Sequence, residues 1–178
     1  MSLAIGDTAP PFSLPTTEGD TVSLDGLAES DAVAVVFSCN HCPYAQAWED
    51  RVNEVAREYA GRGVALVAIN ANDAAKYPAD SFDAMVDRAR EKGFVFPYAY
   101  DESQDVARAY GAERTPEVFL FDGDRRLVYH GAVDDAADPG AVKVRYLRDA
   151  LEAVLAGETP PRAETPPVGC TVKWRPSR

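Results

Sequence analysis

The chain has 178 residues, 46% of them hydrophobic and 26% charged, a composition ordinary for one folded domain with some extra chain. Lys and Arg number 18 against 29 Asp and Glu, and the formal charge of -11 argues against nucleic acid or an anionic membrane as a partner. No apolar stretch nears the ~20 residues of a spanning helix, and the first residues lack the basic and apolar regions of a secretory leader, so a cytoplasmic location is expected.

Before residue 30, two short extended pieces around Phe12-Ser13-Leu14 and Thr21-Val22-Ser23-Leu24 flank the turn Glu18-Gly19-Asp20 and read as an N-terminal hairpin. Ala32–Phe37 is a continuous, β-branched apolar run, the pattern of a strand buried on both faces. Cys39-Asn40-His41-Cys42-Pro43 follows at once. Ala45, Trp48, Val52, Val55, Ala56 and Tyr59 then recur at helical spacing to about residue 60, where Gly61 and Gly63 close the helix. Val64–Ile69 is a second two-sided strand, so residues 32–70 form a right-handed parallel βαβ unit.

A polar loop, Asn70 to Pro78, leads to a helix expected from about Asp80 to Lys92, capped by Ser81 or Asp80. Phe94–Tyr100 reads as a strand in which Pro97 marks an edge or a break. A short helix, Gln104–Tyr110, precedes a hairpin of Glu117–Phe121 and Leu127–Gly131 about the turn Asp122-Gly123-Asp124. A solvated acidic loop, Asp134–Asp138, is expected before a helix from about Pro139 to Ala156. Beyond it Pro160, Pro161, Pro166, Pro167 and Pro176 make an extended arm, whose segment Val168–Trp174 can dock as a strand. The order describes an α/β domain over residues 1–158, a mixed sheet flanked by helices, and an extended C-terminal arm over 159–178.

Three cysteines, Cys39, Cys42 and Cys170, are too few for a disulfide framework. Cys39 and Cys42 stand where a buried strand gives way to a helix. The unpaired N–H groups and positive dipole end of that helix favour a thiolate. The expectation is therefore an exposed Cys39 nucleophile of lowered pKa, with Cys42 one turn on as the resolving thiol, and His41 between them favouring the thiolate further. Zinc wants four ligands, and the remaining candidates are only Cys170, His41 and His130, so no metal or other cofactor is expected. Two merely structural cysteines are the other alternative. Cys170 either folds back to exchange with the pair or anchors the arm as an inert thiol. His130, on a hairpin strand, reads as structural, and Trp48 and Trp174 as core or docking aromatics.

These features resemble the thioredoxin superfamily, and within it the AhpC/TSA group and the TlpA/ResA-type oxidoreductases. The resemblance rests on Ile5-Gly6-Asp7-Thr8-Ala9-Pro10-Pro11-Phe12-Ser13-Leu14-Pro15, on Phe37-Ser38-Cys39-Asn40-His41-Cys42-Pro43-Tyr44, on Arg114-Thr115-Pro116-Glu117-Val118-Phe119-Leu120, and on the tail Pro167–Trp174. It implies a thioredoxin fold with an N-terminal hairpin extension and an insertion around residues 71–103. It implies thiol–disulfide exchange with protein disulfide clients and a thiol electron donor, and with it antioxidant activity and a part in cell redox homeostasis. It also implies a cis bond before Pro116, facing the cysteines, with the Thr115 backbone free to pair with an extended client. The chain departs from thioredoxin proper in having Ser38 in place of a Trp, Val33 in place of a buried acid, and no lysine in residues 64–70, so a proton acceptor for Cys42 is not evident. Peroxide reduction is the alternative activity. It lacks the Thr that peroxiredoxins place three residues before their cysteine, since Val36 stands three before Cys39, and Cys39 itself three before Cys42. A non-enzymatic redox or metal-binding module is the third reading.

Overall fold

The computed structural model describes residues 2–176; Met1, Ser177 and Arg178, the outermost residues of the expected domain and arm, lie outside them. β1 (Ser13–Pro15) and β2 (Thr21–Ser23) form the N-terminal hairpin. β3 (Ala32–Phe37), α1 (Pro43–Ala60) and β4 (Val64–Asn70) make the βαβ unit, in parallel register from Ala32 opposite Val64 to Phe37 opposite Ile69. A 3-10 turn at Pro78–Asp80 leads into α2 (Phe82–Lys92). The Ser81 hydroxyl accepts from Ala84 N–H at its start, and Gly93 ends it in the left-handed region. β5 (Tyr98–Tyr100), α3 (Asp105–Tyr110), β6 (Arg114–Thr115), β7 (Glu117–Phe121), β8 (Leu127–Gly131), α4 (Tyr146–Leu155) and β9 (Cys170–Thr171) complete the chain.

The main sheet runs β5-β4-β3-β7-β8, with β3, β4 and β5 parallel and β7 and β8 antiparallel to their neighbours. Period-two alternation along the fully buried β3 builds two cores. Ala32, Ala34 and Val36 face Trp48, Val52 and Tyr59 of α1, Met85 of α2, and Leu147 and Leu151 of α4. Val33, Val35 and Phe37 face Ala107 and Tyr110 of α3 and Phe12 and Leu14 of the N-terminal segment. Tyr110 meets Phe12, Phe37, Phe119 and Phe121 edge-on. Its hydroxyl escapes isolation by donating to Pro10 O at 2.8 Å. This is the mixed α/β thioredoxin arrangement expected from the sequence.

Three local expectations are corrected. The strand at 94–100 shrinks to β5, on the sheet edge, with Pro97 just outside it. The helix expected from Pro139 begins only at Tyr146: Asp138 caps a single 3-10 turn, Pro139–Ala141, and the Asp135 carboxylate then accepts from Lys143 N–H and Val144 N–H, bending the chain away from helix. The acidic loop is not wholly solvated. Asp134 is buried, accepting from Trp48 Nε1 at 2.7 Å and pairing with Arg51, whose guanidinium also holds Ala136 O.

Both rims of the main sheet are covered. Thr16 bridges Ala99 and Thr17 N–H donates to Tyr98 O beside β5. Beside β8, His130 N–H donates to Ala163 O and Thr165 N–H to His130 O. Among the described residues no helix is long and apolar enough to cross a membrane.

Candidate active site

Residues 38–42 carry the chain from the end of β3 to the start of α1, at the carboxyl end of the parallel strands, where open α/β sheets place their sites. Pro43 opens α1, where its missing N–H costs nothing, and Cys42 is the N-cap. Asn40 fixes the loop with every polar group it has. Its N–H donates to Asp80 Oδ1 (2.7 Å) and its Nδ2 to Ala79 O (2.9 Å). Its Oδ1 accepts from Tyr98 Oη (2.7 Å) and its O from Gln46 Nε2 (2.7 Å).

The cysteines do not pair as the loop spacing suggests. Cys42 is joined by a disulfide to Cys170 of the arm, their Cα atoms 6.3 Å apart, and Cys39 is the free thiol. All three cluster with Ala45. The Thr115–Pro116 bond is cis, and Thr115 touches both sulfurs of the loop: its hydroxyl lies 3.5 Å from Cys39 Sγ and its carbonyl 3.6 Å from Cys42 Sγ. Arm and loop thus meet at Thr115, with Cys170 folded back onto the loop and bonded to Cys42.

The expectation of an exposed Cys39 with a lowered pKa is corrected. Cys39 is 3% exposed and borders an apolar pocket with Val36, Phe96, Tyr98 and Pro116. Desolvation there raises its pKa to about 11, against the lowering by the Thr115 hydroxyl, and the Asp80 carboxylate adds to the rise. The backbone N–H groups of Cys42 and His41 at the start of α1 also lower it, by less than burial raises it. With the arm bonded, alkylation of Cys39 by iodoacetamide should be slow at pH 7 and should rise about tenfold per pH unit up to pH 10. A rate already flat by pH 8, measured by mass spectrometry, would contradict the burial.

Asp80 is the site residue that sequence reasoning missed. It is fully buried, yet it accepts from Asn40 N–H and from Asn72 Nδ2 (2.9 Å), with Asn70 Nδ2 at 3.5 Å. His41 stacks on Tyr77 and sets Nδ1 against the Asp80 carboxylate without a hydrogen bond of good geometry. Cys39, His41 and Asp80 bring donor atoms within 4.8 Å of one another, a possible partial metal set. The N–H donors already aimed at Asp80, and the loss of Cys170 to the disulfide, fit a hydrogen-bonded anion better than a metal ligand. His130 and Glu117 stand outside this cluster. Glu117 is buried, receives His130 Nε2, and accepts from Glu113 N–H and Arg114 N–H, which fixes the approach to β6. Trp48 is in the core. Trp174 is half exposed, with the Arg108 guanidinium 5.4 Å over its ring.

Fold, CxxC loop and cis-proline together define a protein of the thioredoxin superfamily. The chain belongs to the AhpC/TSA family, which matches residues 5–130. It is similar to the thiol-disulfide oxidoreductase ResA of Halalkalibacterium halodurans, 29% identical over 123 residues, or 69% of this chain and 65% of that relative, somewhat less than two thirds of its length. Among solved structures, an uncharacterized conserved protein from Geobacillus kaustophilus is 40% identical over 98% of this chain and 94% of its own, with a TM-score of 0.93. A thiol:disulfide interchange protein of the DsbE type from Chlorobium tepidum is 29% identical over 72% of this chain and 85% of its own, with a TM-score of 0.60.

Proposed function

We propose that the protein exchanges disulfides with protein clients through Cys42, with Cys39 and Cys170 as alternative partners for that sulfur. The carrying observation is the Cys42–Cys170 bond, which holds a strand of the arm against β6 in the place where the family offers its backbone to a client. The order of attack expected from the loop alone is thereby reversed. Cys42 meets the client sulfur, and Cys39 resolves.

From the closed form, the Cys39 thiolate attacks Cys42 Sγ. The Cys39–Cys42 bond forms, the Cys42–Cys170 bond breaks, and its electron pair leaves on Cys170, which takes a proton. A donor dithiol reduces Cys39–Cys42 and is itself oxidised. The Cys42 thiolate then attacks a client disulfide, and Cys39 attacks Cys42 Sγ to release the reduced client. With an oxidant as donor the same steps run in reverse. We keep the cytoplasm as the proposed location; there donor thiols would hold the arm bond open between turnovers.

The test is insulin reduction driven by dithiothreitol. Cys42→Ser and Cys39→Ser should each lose at least tenfold of the rate above background, while Cys170→Ser should remain active. A wild-type rate no higher than that of Cys42→Ser would sink the reading. Hydrogen peroxide consumption that depends on Cys39, with no insulin reduction, would favour the peroxidase instead.

A further inference from the structure

The manner in which the arm is held points to the class of client. β9 runs antiparallel to β6, with Cys170 opposite Thr115 and Thr171 opposite Arg114. Beyond it, Val172 N–H donates to Glu113 O, and Lys173 N–H to Asn72 Oδ1 at 2.8 Å. Lys173 O accepts from Asp73 N–H and Gln104 Nε2, and Arg175 N–H donates to Gln104 Oε1 at 3.0 Å. The contacts reach the backbone of residues 170–175. Asn72 and Gln104 are buried side chains of the body. Gln104 holds a left-handed backbone (φ 68°), an uncommon conformation for a residue with a side chain. Its amide is steadied by a further bond to Ala71 O. Such a groove accepts any extended chain, because strand addition reads main-chain groups.

Selectivity enters at one place. A Cβ on Gly169 would lie 2.1 Å from Thr115 O and 2.6 Å from Thr115 C, both rigid backbone atoms. The residue before the bonded cysteine must therefore be glycine for the strand to seat. Two residues after that cysteine, Val172 is 4% exposed, so an apolar side chain is favoured there. Arg175 Nε lies 3.9 Å from the buried Asp73 carboxylate, in a chain of net charge -11, which favours a basic residue further on.

We propose that the arm is a tethered stand-in for the client, and that this groove takes an extended protein segment of the pattern Gly-Cys-x-apolar followed by basic residues. The proposal rests on exchange at Cys42. When the Cys42–Cys170 bond opens, the arm is held by these reversible contacts alone, and a client in trans can displace it, its cysteine then standing beside Cys42.

The experiment uses the full-length chain carrying Gly169→Val and Cys170→Ser, so that its own arm neither seats nor bonds. A fluorescein-labelled synthetic peptide with the sequence of residues 166–176, serine replacing its cysteine, is titrated by fluorescence anisotropy. Saturable binding is expected, at least tenfold weaker for the peptide that carries valine in place of its glycine. Oxidised wild-type protein, whose groove is filled, should bind neither. Equal affinity for the two peptides, no binding of the glycine peptide up to 1 mM, or equal binding by oxidised wild-type protein would each overturn the proposal. If circular dichroism shows that the double variant does not fold, Cys170→Ser alone serves, with the same order of peptides expected.

A covalent readout separates this idea from the one beneath it. With the cysteine peptide as its mixed disulfide with thionitrobenzoate, the Cys42 thiolate attacks the peptide sulfur. The Cys42–peptide bond forms, and thionitrobenzoate leaves with the electron pair and is read by its colour. A glycine-over-valine rate ratio of ten or more supports the groove. Insulin reduction that needs Cys42, with no such ratio, leaves exchange standing and removes the client class. Insulin reduction that does not need Cys42 removes both.

Discussion

Opening the Cys42–Cys170 bond lowers the free energy of unfolding by about 2–5 kcal/mol. The bond spans 128 positions of the 178-residue chain. Cross-linking points so far apart removes much conformational freedom from the unfolded chain, with an upper figure near 5 kcal/mol in the chain-entropy account. The folded side changes less, because the arm keeps its backbone bonds at Thr115, Glu113, Asn72 and Gln104, and Val172 stays buried. Urea unfolding of oxidised and reduced wild-type protein measures the difference directly. Cys170→Ser, kept in reductant so that Cys39 and Cys42 do not join, should match the reduced protein. A loss below 1 kcal/mol would contradict the arm's tie to the folded body.

Asp80→Ala costs about 3–5 kcal/mol and alters the chemistry of a neighbouring thiol as well. The carboxylate is fully buried and gathers the Asn40 N–H and the Asn72 amide, with His41 set against it. Truncation leaves these donors facing an apolar space, and the full desolvation penalty of each then counts. Asp80→Asn keeps the volume, trades one acceptor for a donor, and should cost less, about 1–3 kcal/mol. It also removes a negative charge beside Cys39. That charge opposes a second negative charge on the thiolate, so its loss lowers the Cys39 pKa from about 11. Alkylation of Cys39 at pH 7 should then accelerate severalfold, with the whole pH profile moving to lower pH. An Asp80→Asn profile that superimposes on wild type would show that Asp80 is structural only.

The sheet was legible in the sequence because its strands announce themselves locally. Ala32–Phe37 and Val64–Ile69 read as buried runs, and Glu117–Phe121 with Leu127–Gly131 as a hairpin about Asp122-Gly123-Asp124. Thr115-Pro116 and the CxxC loop were legible as motifs. What escaped was the choice of partners across long distances. Nothing near Cys42 says that its sulfur reaches Cys170, and nothing in Asp80, met as a cap candidate, says that it lies under Asn40. Burial likewise reversed the expected shift of Cys39, because periodicity along β3 does not report what covers the loop beyond it. Two signals pointed the right way. Asn70 and Asn72 are polar residues directly at the carboxyl end of a buried parallel strand, a position for site groups. Gly169 stands directly before a lone cysteine in a proline-rich stretch, where only close approach of two backbones calls for glycine.

The covered rims of the main sheet bear on how the protein behaves in a crowd. A bare outer strand is a template for aggregation, since its unpaired amides can recruit another chain. Here the N-terminal segment at Thr16 and Thr17 shields β5, and the start of the arm at Ala163–Thr165 shields β8. The strap on β8 lies well before Cys170 and need not leave when the disulfide opens. Release of the arm would therefore bare the stretch Glu113–Thr115 while the outer strands of the main sheet stay shielded. The chain can offer a strand-shaped landing place without becoming sticky along its whole flank.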